Sequence, residues 1–389
     1  MADAKPENDP SLSKGTKFFR SEEELKLRCG DSLPGYQLAY ETYGELNAAM
    51  DNAILLFHAL TGSQNAAGVT ESVDGIGDRW TDECQVGWWD GFIGPGKALD
   101  TTKYFIVCAN YLGGCYGSTG PASVDQATGK PFGSKFPPVT IADIVNSQLR
   151  LIDYLGIKKL RAAVGASVGG MLALSFATRF QERVGSVIAI GSGMSTPPLQ
   201  RIQNFEQVYA IESDANFLGG DYYDGQPPTQ GLALARMISH KTFVSLRSLE
   251  RRARSEIKDL EDDLSFSWYS INRALESYML HQGRKFVRRF DANTYLRFVD
   301  AWQRFDLVEE ASAKSLDELF SRCREQRFLI FSIDSDVCFY PDQQTEMARI
   351  LSANGVPNMH ITVHSQKGHD AFLTEPDLFT PHLVYALDW

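Results

Sequence analysis

Residues 160–174, Leu-Arg-Ala-Ala-Val-Gly-Ala-Ser-Val-Gly-Gly-Met-Leu-Ala-Leu, interrupt an apolar run with one serine set among glycines. Leu160 to Val164 has the length and composition of a buried strand, and the residues after Ser167 resume as an apolar helix. Between the two stands Gly165-Ala166-Ser167-Val168-Gly169, a G-x-S-x-G turn that occurs once in the chain. Glycines on either side of the serine permit a tight, strained turn that a Cβ would obstruct. Such a turn presents the Ser167 hydroxyl at a helix N-terminus, where backbone N–H groups point outward.

A strand, a G-x-S-x-G turn and a helix in this order form the nucleophile elbow of α/β-hydrolase folds. A serine hydroxyl is a poor nucleophile until a positioned base takes its proton, so a carboxylate and a histidine should follow in the order Ser, Asp, His. His369 stands in Gln-Lys-Gly-His-Asp-Ala-Phe-Leu, a glycine-led loop after the strand-like Met359–Ser365, where such a base belongs. His360 and His364 fall within the strand-like run itself. The acid should emerge at the tip of the preceding strand, Arg327–Ile333, where Asp334 and Asp336 are both available and position does not separate them. The oxyanion hole needs two backbone donors. Val168 N–H is one, and Leu60 N–H, just after the strand-like Ala53–Phe57, is the expected second. His58 precedes the serine and is expected to be structural.

The strand-like runs 36–44, 53–57, 104–110, 160–164, 184–190 and 327–333 alternate with helical signals. Thr140 with Asp143 reads as a capping box opening a helix that Gly156 ends, and Pro341 opens another that runs to about Ala353. This alternation implies a mostly parallel sheet with helices on both faces. It stops between residues 195 and 321, where long helical patterns dominate. The expected organisation is a disordered tail over 1–17, a core over 18–194 and 322–389, and an inserted helical lid over 195–321.

Of the 389 residues, 43% are hydrophobic and 22% charged, a composition suited to a globular protein with a sizeable core. No run of about 18 apolar residues suggests a membrane span, and the polar N-terminus lacks a secretory pattern, so a soluble, cytoplasmic protein is expected. The six cysteines are scattered, without the spacing of a disulfide framework or a zinc site. A net charge of −11 disfavours nucleic acid and anionic membrane as partners. Two basic clusters, Arg251, Arg252 and Arg254, then Arg284, Lys285, Arg288 and Arg289, read as solvated helix faces paired with nearby acids.

Several longer stretches carry more information than the elbow. His58–Ser63, Gly87–Thr101, Asn110–Ser123, Gly165–Met171, Gly231–His240, Phe286–Leu296 and Gly368–Leu373 together resemble the homoserine O-acetyltransferases, α/β-hydrolase-fold enzymes of methionine biosynthesis. The likeness runs from about Phe18 to the C-terminus. It implies Ser167 as nucleophile, Asp336 as the triad acid and His369 as base, with Arg236 holding the carboxylate and Asp370 the ammonium group of L-homoserine. It also implies acetyl-CoA as the acyl donor, no permanently bound cofactor or metal, and a homodimer formed through the lid. Succinyl-CoA as donor, serine as acceptor, and a plain esterase or thioesterase on the same triad are the alternatives. Three positions depart from the family pattern: Phe243 where tyrosine is usual, Val168 after the nucleophile in place of methionine, and Asn65 where histidine is frequent.

Overall fold

Eight short aliphatic and aromatic runs pair into one sheet in the computed structural model, which describes residues 15–256, 268, 269, 271 and 273–389. The strands are β1 Lys17–Ser21, β2 Tyr36–Tyr43, β3 Ala53–Phe57, β4 Phe105–Ala109, β5 Leu160–Ala166, β6 Val184–Ile190, β7 Arg327–Ile333 and β8 Asn358–Val363. Their spatial order is β1-β2-β4-β3-β5-β6-β7-β8. β2 runs antiparallel to both β1 and β4, and every other pair is parallel. The expected mostly parallel sheet is therefore present. Its first strand was not anticipated. Lys17 lies in β1, whereas the sequence suggests a tail to residue 17; residues 1–14 of that tail, and 257–267, 270 and 272 of the expected lid, lie outside the described residues.

The period-two geometry of a strand sends alternate side chains to opposite layers. Leu55, Phe57, Val107, Ala163, Val187 and Ile330 pack on one side of the sheet. Ile54, Leu56, Ile106, Ala162, Val164 and Phe331 pack on the other. Both sets are out of solvent, which is why these strands read as continuous apolar runs rather than alternating ones. Each Val, Leu, Ile or Phe side chain among them contributes about 1.5–3 kcal/mol on removal from water, before entropy is set against it.

Helices α1 Ile141–Tyr154 and α2 Val168–Arg179 cover the first layer. Thr140 caps α1 by accepting from the Asp143 N–H while the Asp143 carboxylate accepts from the Thr140 N–H, the expected reciprocal box. Every residue of α2 except Arg179 is buried, as befits a helix enclosed on all sides. Between β6 and β7 the chain builds α3 Pro198–Glu212, α4 Thr229–Phe243, α5 Leu246–Glu256, α6 Ala274–Arg289 and α7 Ala292–Gln303. From Leu307 the chain is back on the core: the buried Glu310 accepts from the Ala142 N–H and the Ser175 hydroxyl. Helices α8 Pro341–Ala353 and α9 Thr380–Leu387 complete the two outer layers.

The parallel strands direct their carboxyl ends to one edge, and loops leaving that edge carry Leu60 after β3, Ser167 after β5, Asp336 after β7 and His369 after β8. This is the edge at which open α/β sheets bind ligands.

Candidate active site

Ser167 has φ 59° and ψ −130°, a strained conformation for any residue with a Cβ. The elbow sustains it by close packing. A Cβ on Gly165 would lie 2.0 Å from Gly169 O, and one on Gly169 would lie 2.3 Å from Phe57 O. Both glycines are thus required by backbone approach, and the second brings the end of β3 against the first turn of α2. The Ser167 N–H donates to Ile190 O at 2.9 Å, tying the elbow to the end of β6.

His369 is 2% exposed, and its Nδ1 donates to Asp336 Oδ2 at 2.6 Å. The other carboxylate oxygen accepts from the Cys338 and Phe339 N–H groups at 2.7 and 2.9 Å. Those two bonds fix the Asp336 carboxylate, and with it the imidazole. Burial lowers the His369 pKa, but the Asp336 charge and hydrogen bond outweigh it and Asp370 adds to them, so the net shift is upward. Phe339 stacks on the ring at 5.5 Å between centroids, while Phe372 meets it edge-on at 5.2 Å and Phe243 lies at 6.0 Å.

Nε2 of His369 is buried and has no hydrogen-bond partner, Ser167 Oγ included. Both sites nonetheless adjoin the same turn. A Cβ on Gly191 would stand 3.4 Å from His369 Nδ1 and 3.2 Å from Asp336 Oδ2, and Ile190, the preceding residue, holds the Ser167 N–H. Asp334, inseparable from Asp336 by position, turns outward and accepts from the exposed His364 at 2.8 Å.

Arg236, on α4, places its guanidinium 5.5 Å from the Phe243 ring centroid and 5.0 Å from that of Phe286. Its pKa is lowered, first by burial and then by Arg289. Asp370 follows His369 directly; burial raises its pKa, against the opposing charges of His369, Arg236 and Arg252. A partly buried anion therefore adjoins the imidazole, and a partly buried cation lies beyond the Phe243 ring and within electrostatic reach of that anion. α4 reaches the His369 turn at Gly368, which has φ 75° and where a Cβ would lie 2.6 Å from Ser245 N. Asn65 is buried and donates to Cys84 O and Gln85 O at 2.9 Å, a structural role.

Two arginines of the expected solvated clusters are paired with acids, as expected, but are only partly exposed. Arg252 Nη1 lies 3.9 Å from Asp370 Oδ2. Arg289 is largely enclosed: Nη1 donates to Thr61 O at 3.1 Å and Tyr116 Oη at 3.0 Å, and Nε faces Glu83 at 3.5 Å. The available signal was helical phase. Leu249 and Ala253 mark the buried stripe of α5 beside Arg252, and Phe286 and Phe290 do so beside Arg289. Among the described residues, no group of three or more His, Cys, Asp or Glu could hold a metal ion.

A family model described as alpha/beta hydrolase fold matches residues 52–376. A homoserine O-acetyltransferase from Methanohalobium evestigatum is 44% identical over 92% of this chain and 70% of its own length. The chain belongs to the homoserine O-acetyltransferase family. A relative from Halorhodospira halophila, 43% identical over 90% of this chain and 89% of its own, is a homoserine O-succinyltransferase. Among solved structures, the homoserine O-acetyltransferase of Bacillus anthracis superposes with TM-score 0.85 at 26% identity, covering 97% of this chain and 98% of that one. Esterase E22 superposes with TM-score 0.84 at 25% identity, over 96% and 99% of the two chains. The family thus shares its scaffold with hydrolases, and its O-acyltransferases are named with two different acyl groups.

Proposed function

We propose that this protein is a homoserine O-acetyltransferase that works through a serine acyl-enzyme, with acetyl-CoA as donor and O-acetyl-L-homoserine, for methionine biosynthesis, as product. Ser167 Oγ attacks the thioester carbonyl while its proton passes to the bare Nε2 of His369. The Leu60 and Val168 N–H groups hold the oxyanion, and collapse of the intermediate expels the CoA thiolate, which takes the proton from Nε2. The homoserine hydroxyl then gives its proton to Nε2 and attacks the acyl-serine. Collapse returns the proton to Ser167 Oγ. Throughout, Asp336 keeps the imidazole in the Nδ1–H tautomer and stabilises its protonated form.

What supports this over simple hydrolysis is the pair of Arg236 and Asp370, a cation and an anion that interact with each other, Asp370 directly following the base and Arg236 lying over Phe243, whose ring adjoins it. Hydrolysis has no use for a fixed cation and anion, whereas an amino-acid acceptor needs one for its carboxylate and one for its ammonium group. Ser167 and His369, at 4% and 2% exposure beneath the helical layer, also favour a bound alcohol over bulk water. Succinyl transfer is the second reading, favoured by the Halorhodospira halophila relative. The expected homodimer fits the exposed Ile202, Phe205 and Tyr209 of α3 and Leu234 of α4. No helix among the described residues is long and apolar enough to cross a membrane, and cytoplasmic residence belongs to the proposal.

The test is a matrix of acetyl-CoA and succinyl-CoA against homoserine, serine and water, read by thiol release. Fast release requiring acetyl-CoA and homoserine supports the proposal. Equal release with water alone assigns a thioesterase.

A further inference from the structure

The turn that carries the proposed oxyanion donor contains a histidine with one ring nitrogen committed and the other idle. His58 is fully buried, and its Nδ1 lies 2.7 Å from Ala59 O. That oxygen can only accept, so Nδ1 carries the hydrogen. Ala59 O also accepts from the Gly62 N–H at 2.9 Å. A peptide group is planar, so two hydrogen bonds to the Ala59 carbonyl set the direction of the N–H at its other end, which is that of Leu60. The turn is otherwise closed around the ring. Tyr111 stacks on His58 at 3.6 Å between centroids and 16° between planes, and its hydroxyl donates to His58 O at 2.5 Å. A Cβ on Gly62 would stand 2.8 Å from His58 Cβ and 3.1 Å from Nδ1, so only glycine allows the ring this position.

We propose that His58 is a positioning residue for the oxyanion hole: its Nδ1–H, acting through the Ala59 carbonyl, aims the Leu60 N–H at the acyl oxygen. The proposal rests on the acyl-transfer reading given above. Nε2 of His58 has no hydrogen-bond partner, and in this tautomer it is a bare lone pair rather than a stranded donor, the cheaper of the two to bury. Burial also pushes the His58 pKa down to about 4, against the bond to Ala59 O, so the ring remains neutral at working pH.

Two side-chain amides separate this role from packing. In His58→Asn the amide N–H reaches the place of Nδ1; in His58→Gln it reaches toward that of Nε2. Removing an oxyanion donor outright costs about a hundred- to a thousandfold in kcat, so misaiming one by His58→Phe or His58→Gln should slow single-turnover acylation by acetyl-CoA about ten- to a hundredfold. His58→Asn should recover most of that loss, and the affinity for CoA itself should be unchanged in all three. Nitrogen NMR of histidine-labelled protein should find residue 58 in the Nδ1–H tautomer. If Phe, Gln and Asn variants all fold and acylate at the parent rate, or if the ring proves to be the Nε2–H tautomer, the positioning role is wrong. Ser167→Ala, run alongside, reports on the underlying reading: acylation surviving in that variant would overturn the acyl-enzyme itself rather than the role of His58.

Discussion

The sheet edge and the helical layer above it contribute to this site in different ways. At the sheet edge the chemistry is set by backbone. A strained serine is braced by two glycines, a carboxylate is gripped by two amides, and an imidazole is held by that carboxylate at 2.6 Å. In the helical layer it is set by long cationic side chains, Arg236, Arg252 and Arg289, whose surroundings come from what the helices pack upon. A motif can announce the first kind of site. The second is visible only once the layers are assembled, and the division predicts which variants abolish acyl transfer and which alter the choice of acceptor.

Ser167→Ala should show the largest effect, a fall in turnover on the order of a millionfold, by analogy with triad enzymes that lose their nucleophile. Asp336→Asn should follow at about ten-thousandfold, because an amide stabilises the wrong imidazole tautomer. Asp334→Asn, two residues away and paired with exposed His364, should change little; equal losses at the two positions would erase the distinction between them. In the helical layer, Arg236→Ala and Asp370→Asn should raise the KM for homoserine by about ten- to a hundredfold, the scale of one or two charge-assisted hydrogen bonds, while leaving acylation by acetyl-CoA near the parent rate. A comparable loss in acylation would show that these residues serve the triad and not the acceptor. The mildest change in this layer should be Phe243→Tyr, which places a hydroxyl beside Arg236 and should lower that KM by no more than about tenfold.

The pH profile tests the sheet edge separately. As the proposed base, His369 would have to be neutral to accept the serine proton, and its pKa is raised above 6.5 because Asp336 outweighs burial. The acid limb of kcat/KM should therefore lie above pH 6.5, with activity falling as pH drops through the raised value. Stability runs the other way: the pairing contributes fully below 6.5 and is lost as pH rises through the folded-state value. Asp336→Asn should shift the acid limb downward, whereas Arg252→Gln, which removes a charge 3.9 Å from Asp370, should move it far less.

The parallel strands, the capping box at Thr140 and the elbow were legible because each follows from a local rule: apolar runs, a reciprocal cap, and glycines at a crowded turn. The short edge strand β1 was not, since Lys17 and Arg20 leave little apolar signal over five residues. Asp334 and Asp336 share one loop and differ by two positions. Only the turn that aims the Cys338 and Phe339 amides at Asp336 separates them, and no composition encodes that. Arg252 and Arg289 were hidden for a related reason. A helix sequence gives the phase of its charges but not the neighbour they meet, and here the neighbours are Asp370 on the base loop and Thr61 on the turn that follows β3.

The most direct measurement is the intact mass of the protein mixed with acetyl-CoA and no acceptor, followed by peptide mapping. The account predicts one acetyl group on the peptide containing Ser167, with free thiol released in equal amount, and its disappearance when homoserine is added. An unmodified protein that releases thiol only when both substrates are present, or an acetyl group carried by any other residue, would contradict it.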